Sequence, residues 1–326
     1  MDQSRATSKL HHRYDKGYKY LLSSKKLFLE LLRSFVRKDW VAQVEESNLI
    51  SIDKSYVLPD FREKEADLVY QAKLRDRDII FYVLMEMQST VDFQMPYRLL
   101  LYQTEIWRDV MANTDKVEAE RKKFKLPAIV PIVLYNGASP WTANRSFRET
   151  LDGHQEFGGD LLDFTYMLID VQRYSEEELL RLSNMIGSVF LLEQSTDLEK
   201  LAGTLHKLMN TLRKTPKELQ QRFVVWFANV LGTQLLPERR LEMDRLLEQW
   251  ELKGANDMMS NLEKTLEEMA KRTHRKGLEQ GLERGIEQEK TAIAKNLIAK
   301  GMDDDFIADV TGLAKEDIGL LRKAVH

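Results

Sequence analysis

A mixed α/β sheet flanked by helices, with a helical C-terminal half, is the fold the sequence predicts, on three observations. Leucines and aromatics recur at helical spacing over residues 14–37. Two apolar runs, LPAIVPIVLY (126–135) and DFTYMLIDV (163–171), have the length of buried strands. An amphipathic stretch separates the β-rich residues 56–88 from the first of these runs. Helix, strands, helix, strand, strand packs as a sheet with helices on its faces.

The elements follow in order. Leu21, Leu22, Leu27, Leu29, Leu31, Leu32 and Phe35 share one helical stripe. Residues 66–74 and 79–88 read as a hairpin. Gln94-Met95-Pro96 opens a helix running to about Asn113, with proline in its favoured first turn and Met95, Leu99, Tyr102, Ile106 and Val110 along one face. Asn136-Gly137 ends the first buried strand. From Ser175 to about Trp250 the pattern is helical.

Beyond that the composition shifts. Residues 255–290 are highly charged, and RKGLEQGLERGIEQEK places Gly277, Gly281 and Gly285 four apart. Each glycine lowers helix propensity by roughly 1 kcal/mol, which favours a solvated, partly helical linker over a helix–helix contact through a glycine face. The tail reads as two or three short helices broken at Gly301 and Gly312. IADVTGLAKEDIGLL has helix-turn-helix spacing, but Glu316 and Asp317 in the second helix favour a small packing or partner module over a major-groove reader. The expected divisions are a core over 1–175, a helical region over 176–254, a charged glycine-repeat helix or linker over 255–290, and a small helical module over 291–326.

Composition excludes several chemistries. The 326 residues are 43% hydrophobic, enough for a sizeable core, and the net charge of −3 means any nucleic-acid surface is a local patch. Without cysteine there are no disulfides, thiolate nucleophiles or cysteine zinc sites, which suits a reducing cytoplasm. The polar N-terminus lacks the apolar core of a signal peptide, and no uncharged run reaches membrane-spanning length. A soluble cytoplasmic protein is expected. There is no Ser–His–Asp arrangement, Walker loop or dinucleotide fingerprint; GLEQGLERG follows no strand.

The informative stretch is YVLMEMQST (82–90), an apolar run ending in Glu86 and Gln88. If the hairpin turns at Asp76-Arg77, one face becomes wholly apolar: Leu74, Ala72, Tyr70, Leu68 and Ala66 opposite Ile79, Phe81, Val83, Met85 and Met87. That register sets Asp67 opposite Glu86 and Glu65 opposite Gln88. Facing Cβ atoms lie about 4.5–5.5 Å apart, so two carboxylates there repel. A divalent cation is the simplest compensation, and one or two carboxylates with water and phosphate completing the shell describe a catalytic magnesium site. The alternative is a pair splayed into water, or neutralised by Lys73, Arg62 or Arg98.

EADLVY, MEMQS, MPYRLLLYQTEIW and PIVLYNGASPW, in this order and spacing, resemble the Rpn family of recombination-promoting nucleases, also called YhgA-like transposases, within the PD-(D/E)XK nuclease superfamily. YDKGYKYLL and the glycine-repeat tail ending in a TGL…I module are similar as well. The resemblance covers nearly the whole chain and is strongest over residues 10–175. It implies a PD-(D/E)XK restriction-endonuclease-like core, helix, three-stranded meander, helix and strand, carrying a metal-dependent phosphodiesterase site. The superfamily aspartate falls on Asp67 and the glutamate of the E-x-K motif on Glu86. Gln88 occupies the lysine position, a departure from the superfamily that is usual in this family; a literal Pro59-Asp60 breaks the register and is set aside.

The implied activity is a DNA endonuclease using Mg²⁺, or Mn²⁺ or Ca²⁺, tied to recombination or mobile elements. Asp67, Glu86 and the Met87 carbonyl would hold the metal. Gln88 can orient water through its amide but brings no charge, so Lys19 or Lys73 could supply the cation. Glu65, Asp15 in YDKGYK and Asp170 in LID are further candidates, each with a simpler reading as a strand-end, helix-start or capping acid. His11, His12, Arg13, Lys16, Lys19, Lys25, Lys26 and Arg98 would surround the site and contact DNA; Arg98 could fork a phosphate or pair with an acid. A catalytically degenerate nuclease fold that binds DNA or protein is the alternative function, and a homodimer through the C-terminal helices is a further expectation.

Overall fold

The computed structural model describes residues 17–52, 68–74, 77–86, 91–231 and 258–325, the side chains of 82–86, 258, 324 and 325 excepted. They fall into two compact units, Met1–Lys264 and Thr265–His326. Among the described residues no helix is long and apolar enough to cross a membrane.

The first unit is built on a five-stranded mixed sheet in sequential order: β1 (Leu49–Ile52), β2 (Leu68–Leu74), β3 (Arg77–Glu86), β4 (Ala128–Tyr135) and β5 (Met167–Asp170). β1, β2 and β3 pair antiparallel, whereas β3, β4 and β5 run parallel. A parallel neighbour needs a crossover, and between β3 and β4 it contains the proline-started helix at Met95–Ala112. β1 was not expected as a separate strand, and β5 is shorter than the run 163–171 because only its last residues join the ladder.

Helices cover both faces. The expected first helix is two pieces, α1 (17–22) and α2 (Lys25–Phe35), parted at Ser24, whose backbone is extended. Phe28 of α2 stacks on Tyr70 at 4.3 Å and meets Phe81 edge-on at 5.9 Å, while the Tyr70 hydroxyl donates to the Leu22 carbonyl of α1. These contacts pin α1 and α2 to the face carrying Tyr70 and Phe81. On the opposite face lies the helix after β3, α3 (Met95–Ala112). Its Met95, Leu99, Tyr102 and Ile106 form the expected stripe and are buried with Val69, Ile80, Val133 and Tyr166.

The hairpin register differs from the expected one. Leu74 pairs with Arg77, Tyr70 with Phe81 and Leu68 with Val83, so every partner is displaced by two. The observed closure sets Lys73 opposite Asp78, a favourable charge pair, and brings the Gln71 amide to the Asp78 carboxylate at 3.3 Å. A slip of two keeps each residue on its face, so the apolar face survives. The facing pair of Asp67 and Glu86 loses its basis in this register, and Asp67 itself lies outside the described residues.

Among the described residues up to 231, four helices follow the sheet: α4 (Glu176–Leu182), α5 (Met185–Glu193), α6 (Leu198–Arg213) and α7 (Lys217–Asn229). Ser175 and Glu178 form a capping box at α4, and Asn184 and Asp197 cap α5 and α6 through their side chains. All nine residues of α5 are buried, and its Phe190 reaches Tyr18 of α1 and Phe35 of α2. Gly17 is required where α1 meets the end of α7: a Cβ there would collide with Val230. This helical region therefore packs into the same unit as the sheet.

The long helix α8 (Met258–Ala299) crosses the unit boundary as 42 continuous residues, and 271–289, including all three repeat glycines, are exposed. The expected linker, 255–290, is thus helical over its described residues, 258–290. In the second unit, Ala294 and Ile298 of α8 share a core with Ile307 of α9 (Asp304–Thr311) and with Leu313 and Ile318 at α10 (Lys315–Val325). Gly301 and Gly312 make the two predicted breaks with φ of 77° and 69°, a left-handed region that glycine enters without steric penalty.

Candidate active site

The carboxyl ends of the three parallel strands align in one row. Glu86 at the end of β3 is in register with Tyr135 at the end of β4, and Tyr135 with Asp170 at the end of β5. Paired positions in a sheet share a face, here the face covered by α3. Neighbouring strands are about 4.8 Å apart, so positions 86 and 170 stand about 10 Å apart with Tyr135 between them. In open α/β sheets the crevice outside the carboxyl ends of the strands is where ligands bind.

Tyr135 is fully buried, and its hydroxyl donates to the Ser139 carbonyl, closing the turn that follows β4. Gly137 is forced there because a Cβ would run into the Tyr135 ring. Trp141 packs edge-on against Tyr135 at 4.8 Å and donates from its indole nitrogen to the Tyr166 hydroxyl. Burial pushes the Tyr166 hydroxyl up to about 12. These aromatics wall the row on the α3 face. Trp141 is a packing residue here.

Asp170 is the acid whose side chain the structure defines in this row. Its carboxylate is 11% exposed; Arg173 Nε lies 3.6 Å from Oδ2, and Oδ1 is buried with no hydrogen-bond partner among the described residues. Desolvation raises its pKa above the ordinary carboxylate range, opposed by Arg173 and by the backbone N–H groups of Gln172 and Trp141. A buried acceptor without a donor is uncommon, and an oxygen of this kind at a strand terminus suits a hard cation.

The other sequence candidates separate clearly. Asp15, Glu65, Asp67, Met87 and Gln88 lie outside the described residues, as do His11, His12, Arg13 and Lys16; Glu86 is defined by its backbone position. Arg98, on the first turns of α3, pairs with Asp92, an acid partner of the kind one of its two readings gave it. Tyr102 is buried in the α3 core. Lys73 sits opposite Asp78, eight residues before Glu86 along β3 and roughly 26 Å away at about 3.3 Å per residue. That removes Lys73 from the group gathered at the strand ends. Lys19 lies on α1 and is half-buried; Lys25 and Lys26 are exposed at the start of α2, a solvated face.

A residue the sequence reading missed lies beneath the row. Glu193 is the last residue of the apolar helix α5 and is buried; its Oε2 accepts hydrogen bonds from the Tyr18 hydroxyl at 2.6 Å and from the Asn136 amide at 2.8 Å. Asn136, next in the chain after Tyr135, accepts in turn from Gln172 at 2.6 Å. Burial pushes the Glu193 carboxyl up to about 8. One signal was visible: a single acid closing a stretch with no other charged residue, MIGSVFLLE.

Comparison with known proteins bears on this arrangement. Residues 12–222 match the family model described as "Putative transposase, YhgA-like", and residues 287–323 match that described as "Rpn/YhgA-like nuclease family, C-terminal HTH domain". The second match covers the end of α8 with α9 and α10, so the tail is similar to a helix-turn-helix domain despite the acids of its second helix. A curated relative, the recombination-promoting nuclease RpnD of Escherichia coli O157:H7, is 30% identical over 91 residues, which span 27% of this chain and 32% of that protein. No solved structure matches. With nearly two thirds of its length under one family model and its tail under another, the chain belongs to the YhgA-like, Rpn-like nuclease family.

Proposed function

We propose that this protein is a divalent-metal-dependent DNA endonuclease of the PD-(D/E)XK type, acting in recombination or in the movement of genetic elements. The observation that carries the reading is the row of Glu86, Tyr135 and Asp170 across the carboxyl ends of β3, β4 and β5, in a chain of a nuclease family. Asp67, Glu86 and the Met87 carbonyl would hold the metal, with Asp170 as a further oxygen ligand. The unpartnered Oδ1 of Asp170 and the all-oxygen donor set fit Mg²⁺, Mn²⁺ or Ca²⁺. Such an ion supplies an acidified water and screens charge on the phosphate.

The chain's own residues do the remainder. Gln88 would orient the attacking water by its amide; Glu86 and Asp170 fix negative charge at the strand ends; Tyr135 and Trp141 close the floor against solvent. The C-terminal helix-turn-helix domain would hold duplex DNA, largely through phosphates, so binding should weaken steeply with salt. The exposed stretch of α8, with Leu278, Leu282 and Ile286 facing solvent beside the repeat glycines, would pair two copies.

The test is cleavage of supercoiled plasmid with Mg²⁺, Mn²⁺ or Ca²⁺ by the wild type and by Glu86→Ala. Metal-dependent nicking by the first and none by the second is expected; equal cutting by both ends the proposal. A second reading, a degenerate nuclease fold that binds DNA without cutting it, is favoured by Gln88 where the superfamily keeps lysine. Salt-sensitive binding with no nicking under any of the three metals would select it.

A further inference from the structure

Glu193 ties together three segments beside the carboxyl end of β4. It closes α5; its Oε2 takes the hydroxyl of Tyr18 from α1 and the amide of Asn136 from the turn after β4. Gln172, two residues after Asp170, donates to Asn136 and fixes which way that amide points. The donors thus run in one direction, from Gln172 through Asn136 to Glu193. Asn136 adjoins Tyr135, the central member of the row.

The carboxyl itself has an asymmetry. Both donors converge on Oε2, while Oε1 is buried with no partner among the described residues. An ionised carboxylate needs donors at both oxygens, and a bare one in an apolar setting is strongly penalised. A neutral acid fits: Oε2 as the carbonyl oxygen taking two hydrogen bonds, Oε1 carrying the proton. Among the described residues Tyr18, from α1, is the titratable group that acts on it; the groups from the β4 turn and the segment after β5, Asn136 and Gln172, are uncharged. Arg173 and Asp170, which flank that segment, are engaged with each other.

We infer that Glu193 is a positioning residue, held as the neutral acid, that locks α1 and the segment after β5 to the end of β4 and so sets the geometry of the Glu86–Tyr135–Asp170 row. The functional part rests on the nuclease reading; the lock itself does not. Burial holds its pKa at about 8, against an ordinary 4.5. The sign follows: the folded chain keeps the proton over this interval and the unfolded chain does not, so the stabilisation is complete below about 4.5 and lost as pH rises through about 8.

The experiment compares the full-length wild type with Glu193→Gln and Tyr18→Phe. Glutamine reproduces the neutral acid, so its melting temperature should lose the decline that the wild type shows between pH 5 and pH 9, a difference of roughly 5 °C or more. Tyr18→Phe removes a hydrogen bond that favours the charged form, so the midpoint of the decline should move to higher pH; a merely packing role for Tyr18 would leave it in place. Amide protection at 136–137, corrected for intrinsic exchange, should fall above about pH 8 in the wild type and not in Glu193→Gln. Where plasmid nicking is observed, its alkaline limb should vanish in Glu193→Gln.

Parallel pH profiles for wild type and Glu193→Gln, or an unmoved midpoint in Tyr18→Phe, overturn the lock whatever the nicking assay gives. If Glu193→Gln fails to fold, the Tyr18→Phe midpoint decides. Unchanged nicking at every pH alongside altered melting overturns the positioning role. An absence of nicking in all forms rejects the nuclease reading while melting and exchange still judge the lock.

Discussion

Asp170 stands in register with Tyr135 at the carboxyl end of the parallel strands, with one carboxylate oxygen near Arg173 and the other enclosed without a hydrogen-bond partner among the described residues. Its pKa is raised chiefly by desolvation. The folded chain therefore holds this proton more tightly than the unfolded chain, and stability falls as pH rises through the raised value. Asp170→Asn should remove that dependence, so the variant gains on the wild type between pH 4 and pH 7. Thermal melts at the two values check it; equal differences from wild type at both would refute it.

Gly137 lies over the Tyr135 ring with no room for a methyl group. Gly137→Ala should destabilise the first unit by about 1–3 kcal/mol, the usual penalty for overpacking. Denaturant unfolding measures this as a lowered midpoint with an unchanged slope.

Leu99 anchors α3 and is fully buried in a core with Val69, Ile80 and Val133. Leu99→Ala should lose about 2–5 kcal/mol in the same unfolding assay.

Lys73 and Glu86 offer a contrast for the site. The register holds them far apart on the hairpin, so Lys73→Ala should leave plasmid nicking and its metal dependence as in wild type, while Glu86→Ala abolishes nicking. Loss of nicking in Lys73→Ala would mean that the hairpin register is not the one operating in solution.

The C-terminal unit begins at Thr265. Truncation after residue 264 should lower DNA affinity and flatten its salt dependence, since the helix-turn-helix domain is removed. It should also halve the stoichiometry measured by light scattering if the exposed part of α8 pairs two copies. An unaltered stoichiometry would reject that pairing while leaving the DNA prediction standing.

Sequence periodicity alone determined much of this fold. The stripe from Met95 to Ile106, the proline start of α3, the strand ending at Asn136-Gly137 and the breaks at Gly301 and Gly312 are local properties, set by side-chain spacing and backbone freedom. The hairpin register was not local. A displacement of two leaves the hydrophobic alternation intact, so the pattern of residues 66–88 could not choose between partners, and the charge pair of Lys73 and Asp78 marks the register adopted. The continuity of α8 through three glycines likewise escaped propensity. Most of all, the meeting of Glu193, Tyr18, Asn136 and Gln172 required the tertiary structure. Residues so far apart in the chain become neighbours only when helices and sheet close on one core, and that same closure removes the water that would otherwise ionise the acid.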